Sequence, residues 1–287
     1  MAQLESSPAK HDFERRSEGE GMKPYYSHAG IQIFLGDCRE ILPTLEPVNA
    51  VVTSPPYGYQ RDYTAPIGDW HELMVSAFSG LRSVHGCQLL VNLGQIHRDG
   101  EVWPYWETWR ESMRSLGWRW FGQYVWDQGD GLPGDWNGRL APAHEYVFHF
   151  NREAKQARKW IPTNQRPASG TGLRHTDGTT RGVSSPDKCG QPFKIPDSVI
   201  RVYREMNRLG WHADHPAVYP VRLPQFLINT WSEENDCVLD PFCGSGTTLV
   251  AAKNLGRHAI GIEIEEKYCE IAAKRLSQEV FNFSGVL

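Results

Sequence analysis

Two short stretches hold residue types that can do chemistry. The first is Thr53-Ser54-Pro55-Pro56-Tyr57-Gly58, which follows the apolar run Ala50–Thr53. Two prolines fix φ and exclude a continued helix or sheet, so this loop is held stiffly. The carbonyls of Ser54 and Pro55 can then face outward beside the Ser54 hydroxyl and the Tyr57 ring. Such a set suits a planar base amine, whose lone pair is delocalised into its ring and is a poor nucleophile. Acceptors on its two N–H groups favour a more pyramidal nitrogen with the lone pair aimed at a methyl donor. The aromatic ring offers a stacking face for a base pulled from a helix. Alone, the stretch reads equally well as a Pro-rich surface turn.

The second stretch is Asp240-Pro241-Phe242-Cys243-Gly244-Ser245-Gly246-Thr247-Thr248. It lies between a strand pattern and a helix pattern, where glycines let the backbone turn tightly and approach a ligand. No Gly-Lys-Ser/Thr follows, so it is not a phosphate loop, and it lacks the G-x-G-x-x-G of dinucleotide binders. One strand later, Gly261-Ile262-Glu263 places a carboxylate where nucleoside-binding α/β folds hold ribose hydroxyls. A lone glycine turn also fits a plain strand–helix connection; the acid at the neighbouring strand end favours a nucleoside-bearing cofactor.

The elements needed to position these stretches are legible around them. Strands are expected at 31–35, 50–53, 88–93, 120–126, 146–150, 237–240 and 258–262. Helices are expected near 39–45 and over 71–84, 103–116, 222–231, 247–255 and 265–278. This alternation predicts a mostly parallel sheet covered on both faces. Residues 151–214 break the rhythm, being rich in Gly, Pro, Ser, Thr and Arg, and are expected to form long loops.

With both motifs in place, the chain resembles the amino-group DNA methyltransferases, whose signatures are D-P-F-x-G-S-G-T and [S/D/N]-P-P-[Y/F]. It is similar to their β-type arrangement, with the catalytic motif ahead of the cofactor motif. The likeness spans most of residues 25–280. It implies a permuted Rossmann-like methyltransferase sheet with helices on both faces and a loop-rich target-recognition insert at 151–214. The implied cofactor is S-adenosylmethionine, held by Asp37, Asp240, Phe242, Gly244, Ser245, Gly246, Thr247 and Glu263, with His215 and Pro216 beside its methionine part. By the same resemblance Asp37 contacts the adenine ring, Glu263 binds the ribose, and Pro142-Ala143-His144-Glu145-Tyr146 lines the target pocket.

Ser54, Pro55, Pro56 and Tyr57 are the expected catalytic loop. Ser54 in the first position leans toward cytosine N4; relatives acting on adenine N6 more often carry Asp or Asn there. Cytosine C5 chemistry is disfavoured, because no Pro-Cys loop supplies its nucleophile. The implied partner is double-stranded DNA, with a cognate restriction endonuclease as a candidate companion and a monomer or homodimer as the assembly. Arg61 and Tyr63 are expected to close over the target base or fill its gap, and Arg166, Arg174 and Arg181 to contact DNA. The rivals are the same transfer to adenine N6, transfer to an RNA or protein amine, and a vestigial fold that binds DNA without catalysis.

Composition sets the frame. The chain has 287 residues, 40% hydrophobic, with a mean hydropathy of -0.51, enough for one substantial core. Residues 1–24 read as a flexible tail without a signal peptide's apolar region, and no run has the length of a membrane span; a cytoplasmic protein is expected. The domain reading is 1–24 tail, 25–150 catalytic half, 151–214 target recognition and 215–287 cofactor half. Net charge is -4, yet 151–214 carries 12 Lys and Arg against 6 Asp and Glu, as a local phosphate-contacting surface or a solvated loop would. The six cysteines form no C-x-x-C and read as reduced, mostly buried thiols. Neither they nor the histidines have ligand spacing, and no metal is assigned. Trp103, Trp106, Trp109, Trp118, Trp120 and Trp126 read as packing residues.

Overall fold

The computed structural model describes residues 22–57, 69–131, 134, 136, 138–163, 173–174, 177, 180–181, 192–204 and 219–278. One sheet of nine strands dominates it. In chain order these are β1 (Tyr26–His28), β2 (Ile31–Leu35), β3 (Val48–Thr53), β4 (Ser83–Leu93), β5 (Arg119–Asp127), β6 (His144–Asn151), β7 (Val199–Arg201), β8 (Cys237–Asp240) and β9 (His258–Glu263). Their spatial order is β1-β2-β9-β8-β3-β4-β6-β5-β7. The helices are α1 (Cys38–Ile41), α2 (Trp70–Ser79), α3 (Trp106–Ser115), α4 (Arg222–Trp231), α5 (Thr247–Asn254) and α6 (Glu266–Ser277).

The central strands are apolar on both faces, as strands covered on both sides must be. In β3, Val51 enters a core with Ile41, Met74, Phe78, Trp109 and Leu239. Its neighbour Val52 enters a second core with Leu227, Leu249, Ala272 and Val238. This period-two alternation assigns α1, α2 and α3 to one face of the sheet and α4, α5 and α6 to the other.

The permutation is visible in the register. Strand β8, late in the chain, pairs in parallel with β3 through Val238 opposite Ala50 and Leu239 opposite Val51. From β8 the chain crosses by α5 to β9 on one side; from β3 it crosses by α2 to β4 on the other. The two crossovers run over opposite faces. The gap between β8 and β3 is therefore a topological switch point, where open α/β sheets bind ligands beyond the strands' carboxyl ends.

Several boundaries differ from expectation. Gly80 caps α2, and β4 already begins at Ser83, so the helix expected over 71–84 is shorter. Glu101–Trp103 pairs with Ile96–Arg98, because Trp103 precedes a proline and is held extended; α3 starts at Trp106. The sheet is more mixed than expected. Among the described residues no helix separates β5 from β6; they form an antiparallel hairpin, and β6 also runs antiparallel to β4. Of the tryptophans, Trp106, Trp109, Trp118 and Trp126 are buried, whereas Trp120 is exposed under the Arg110 guanidinium.

The 151–214 segment is not all loop. β7 extends the main sheet beside β5. Lys155 and Arg158 donate to carbonyls of Trp231, Asn229 and Ser232 at the end of α4. They also pair with Asp236 and Glu233. These two cations satisfy helix-end carbonyls, so part of the segment's charge is structural. Among the described residues no helix is long and apolar enough to cross a membrane, and the described cysteines are free, four of them buried.

Candidate active site

The two sequence motifs meet where β3 and β8 end. Thr53, the last residue of β3, donates from Oγ1 to Asp240 Oδ1 at 2.6 Å across 187 positions of chain. Asp240 is 2% exposed. Its Oδ1 also accepts the Phe242 N–H at 3.1 Å, and its Oδ2 accepts the Thr248 hydroxyl at 2.6 Å. The Tyr219 hydroxyl donates in turn to Thr248 Oγ1. Burial pushes the Asp240 carboxyl up to about 6, opposed by the Thr248, Thr53 and Phe242 hydrogen bonds. Burial, then the nearby Asp240 charge, holds the Tyr219 phenol well above its usual value. Asp240 is thus a buried hub of three hydrogen bonds beneath the turn, and its carboxylate shapes the loop above it.

The turn is fastened from three sides. Cys243 N–H donates to Ile262 O at 3.0 Å and Gly246 N–H to Cys243 O at 2.8 Å. Gly246 adopts φ 78° at the start of α5, and a Cβ there would lie 2.8 Å from that of Ala272. From α6, Arg275 reaches Ser245 O at 2.6 Å and Thr247 Oγ1 at 3.1 Å. Glu263, ending β9, accepts the Gly244 N–H on Oε2 and the Glu265 N–H on Oε1, both at 2.9 Å. Burial raises its carboxyl to about 6.

Gly36 N–H donates to Glu263 O at 2.9 Å, which brings the end of β2 alongside. Asp37 there caps α1 and receives the Arg39 side chain on both oxygens, a pairing that holds its carboxyl below the usual range. This set fits a nucleoside-bearing cofactor. Each oxygen of Glu263 retains a lone pair for a hydroxyl donor, and the turn brings backbone close without side chains.

In the loop that follows β3, Tyr57 is 5% exposed. Its hydroxyl donates to Glu145 Oε2 at 2.6 Å, with Asn92 Oδ1 at 3.3 Å and the Ser54 hydroxyl at 3.4 Å. Burial, then the Glu145 charge, keeps the phenol well above its ordinary pKa, so it is a donor at neutral pH. Gly94 closes one side of the ring; a Cβ there would sit 2.9 Å from Cε2. The Trp70 indole N–H donates to Pro56 O at 2.7 Å, which consumes that carbonyl and fixes the loop's back against α2.

One edge of the sheet thus gathers Ser54, Pro55, Pro56 and Tyr57 with Asp37, Asp240, Phe242, Gly244, Ser245, Gly246, Thr247 and Glu263. Arg61, Tyr63, Arg166, His215 and Pro216 lie outside the described residues. Arg174 and Arg181 fall in a short antiparallel pair, Leu173–Arg174 with Thr180–Arg181, and their side chains are outside the description. Sequence reading assigned no role to Thr53, Asn92, Gly94, Thr248, Tyr219 or Arg275. Thr53 and Asn92 carried a signal: each is a polar residue at or next to the end of an otherwise apolar strand run, where a buried side chain needs a partner.

The family model described as DNA methylase, of the N6/N4 methyltransferases, matches residues 48–274. The chain belongs to this N6/N4 DNA methylase family. It is 29% identical over 263 residues to the type II methyltransferase M.BglII of Bacillus subtilis, covering 86% of this chain and 69% of that one. A shorter stretch of 69 residues, 24% of this chain and 26% of the relative, is 49% identical to M2.DpnII of Streptococcus pneumoniae. Among solved structures, the cytosine-N4-specific PvuII DNA methyltransferase superposes with a TM-score of 0.67 at 21% identity, covering 92% of both chains. TTHA0409 of Thermus thermophilus, solved with S-adenosyl-L-methionine, gives 0.57 at 24% identity over 88% of this chain and 96% of that one. The permuted Rossmann-like architecture is thus that of the family. The protein is an S-adenosylmethionine-dependent DNA methyltransferase that transfers a methyl group to DNA.

Proposed function

We propose that this DNA methylase modifies the N4 amine of cytosine in double-stranded DNA by direct transfer. The observation that carries the direct transfer is the Thr53–Asp240 hydrogen bond, which fixes the Ser54–Tyr57 loop beside the glycine turn. The base assignment rests on Ser54 at the head of that loop. The resemblance in fold to a cytosine-N4-specific enzyme supports it.

In this reading S-adenosylmethionine supplies an electrophilic methyl group when bound, held by the 242–247 turn, Glu263 and Asp37, with His215 and Pro216 beside it. Ser54 and the Pro55 carbonyl hold the amine of the target base. Tyr57, steadied by Glu145 and backed by Gly94, is the aromatic ring of the loop on which the base stacks. The methylated nitrogen is cationic and loses a proton readily, so no strong base is demanded of the chain. Arg61, Tyr63, Arg166, Arg174 and Arg181 contribute DNA contacts; residues 151–214 form the target-recognition region between the catalytic and cofactor halves.

The test is mass spectrometry of nucleosides from unmethylated DNA incubated with the protein and cofactor. N4-methylcytosine is expected. N6-methyladenine in its place would establish the same transfer on the other amine and refute the Ser54 argument. DNA unchanged by a protein that still binds the cofactor would favour a non-catalytic binder.

A further inference from the structure

The β5–β6 hairpin projects from the same edge of the sheet as the catalytic loop. Register fixes this placement: Leu93, ending β4 beside Thr53's strand, lies opposite Tyr146, and Asp127 lies opposite His144. The described ends of the connection, 128–131 and 138–143, therefore leave the sheet at the edge where the catalytic loop lies, next to Glu145, the partner of Tyr57.

The arms of this connection are braced. Gln128 N–H donates to Ala143 O at 2.9 Å. Gly131 lies so close to Ala141 that a Cβ on it would be 2.6 Å from that of Ala141. Arg204, following β7, donates to Asp130 O at 3.2 Å and Pro142 O at 3.3 Å, one on each arm, and also to the Gln128 side chain. Above this brace stand Gly138, Arg139 and Leu140, all exposed. Leu140 is 94% exposed, the extreme among the large apolar side chains described. Among the described residues nothing covers Leu140, which stands with Arg139 on a braced arm at the edge of the sheet that carries the catalytic loop.

We propose that this tip is a DNA wedge: Leu140 enters the base stack at the target and occupies the gap left by the rotated base, while Arg139 contacts the adjoining phosphate or groove. The inference rests on the DNA-methylation reading and adds the device that opens the duplex. Apolar side chains inserted between base steps offset part of the unstacking energy. Leu140 is five steps of chain from Glu145, so its Cα is within about 18 Å of that residue's Cα. Duplex DNA is the occupant that accounts for both residues, since the arginine complements phosphate and the leucine complements stacked base faces.

The test uses the full-length protein. Incubation with S-adenosylmethionine and unmethylated plasmid DNA maps the modified site, and duplex oligonucleotides carrying it are then made with the target base paired or mismatched. Leu140→Ala is expected to slow single-turnover methylation of the paired duplex by about tenfold or more, and to return to within about twofold of wild type on the mismatched duplex, where extrusion is already easy. Phe121→Ala, an exposed apolar control outside the site and the 151–214 region, and cofactor affinity of both variants by calorimetry should match wild type. A wild-type rate for Leu140→Ala on the paired duplex, or equal losses on both duplexes, would overturn the wedge. Failure of wild-type protein to methylate any DNA is a separate result, and it would remove the methylation reading on which the wedge depends.

Discussion

Thr53 and Asp240 are 187 positions apart in sequence and 2.6 Å apart at their side-chain oxygens. This contact joins the end of the strand that presents the Pro-Pro-Tyr loop to the end of the strand that presents the glycine turn. Thr53→Ala is expected to lower the methyl-transfer rate about tenfold while the cofactor dissociation constant changes by less than about threefold, because Asp240 keeps Thr248 and Phe242. A double-mutant cycle of Thr53→Ala with Asp240→Asn, read by urea unfolding, should give a coupling of about 1–3 kcal/mol. Strict additivity would show the two motifs to be energetically independent.

Glu145 positions Tyr57 through a single short hydrogen bond. Glu145→Ala should reduce kcat by about tenfold or more with cofactor affinity unchanged, since the ring loses its anchor. Glu145→Gln keeps an acceptor oxygen and should stay within about threefold of wild type. A glutamine variant as impaired as the alanine variant would indicate that the carboxylate does more than orient the ring.

Two glycines test the packing around the loops. Gly246→Ala meets Ala272 and a positive φ, so it should weaken cofactor binding and lower stability by about 1–3 kcal/mol. Gly94→Ala drives a methyl group into the Tyr57 ring and should depress methylation while calorimetry finds the cofactor bound normally. The opposite pattern would exchange the roles of the two loops.

Asp240 sets a pH dependence with an unusual sign. Burial raises its carboxyl from 3.8 to about 6 in the folded protein, so between those values the folded state binds more protons than the unfolded one. Stability from this group therefore falls as pH rises from about 4 to about 6, and is level above, a change on the order of 3 kcal/mol. Asp240→Asn removes it. The unfolding free energy of the variant minus that of wild type should increase across this window; a flat difference would mean the buried carboxyl is not displaced.

What the sequence reveals and what it hides follow from physical scale. The apolar runs 50–53, 88–93 and 237–239 announce buried strands, because burial on both faces leaves no alternation to misread. The two motifs announce themselves through proline stiffness and glycine freedom, which are local properties. The antiparallel hairpin was implicit in the missing helix between 126 and 146, yet its consequence for the sheet needed the register. Long-range partners were not legible. Arg275 on the turn, Tyr219 on Thr248 and Arg204 on both hairpin arms lie far along the chain from what they hold. Lys155 and Arg158 counted toward the basic balance of 151–214, which fits a phosphate-contacting surface or a solvated loop alike, but the carbonyls ending α4 claim them.

The central claim is that one cavity serves both loops, with the methyl group of the cofactor passing directly to an amine held by the other loop. Ultraviolet crosslinking of methyl-labelled S-adenosylmethionine to the wild-type protein, followed by peptide mapping, tests it most directly. The account predicts label in peptides from both the 53–57 loop and the 240–248 turn, suppressed by unlabelled S-adenosylhomocysteine. Competable label confined to a peptide remote from both loops would contradict it.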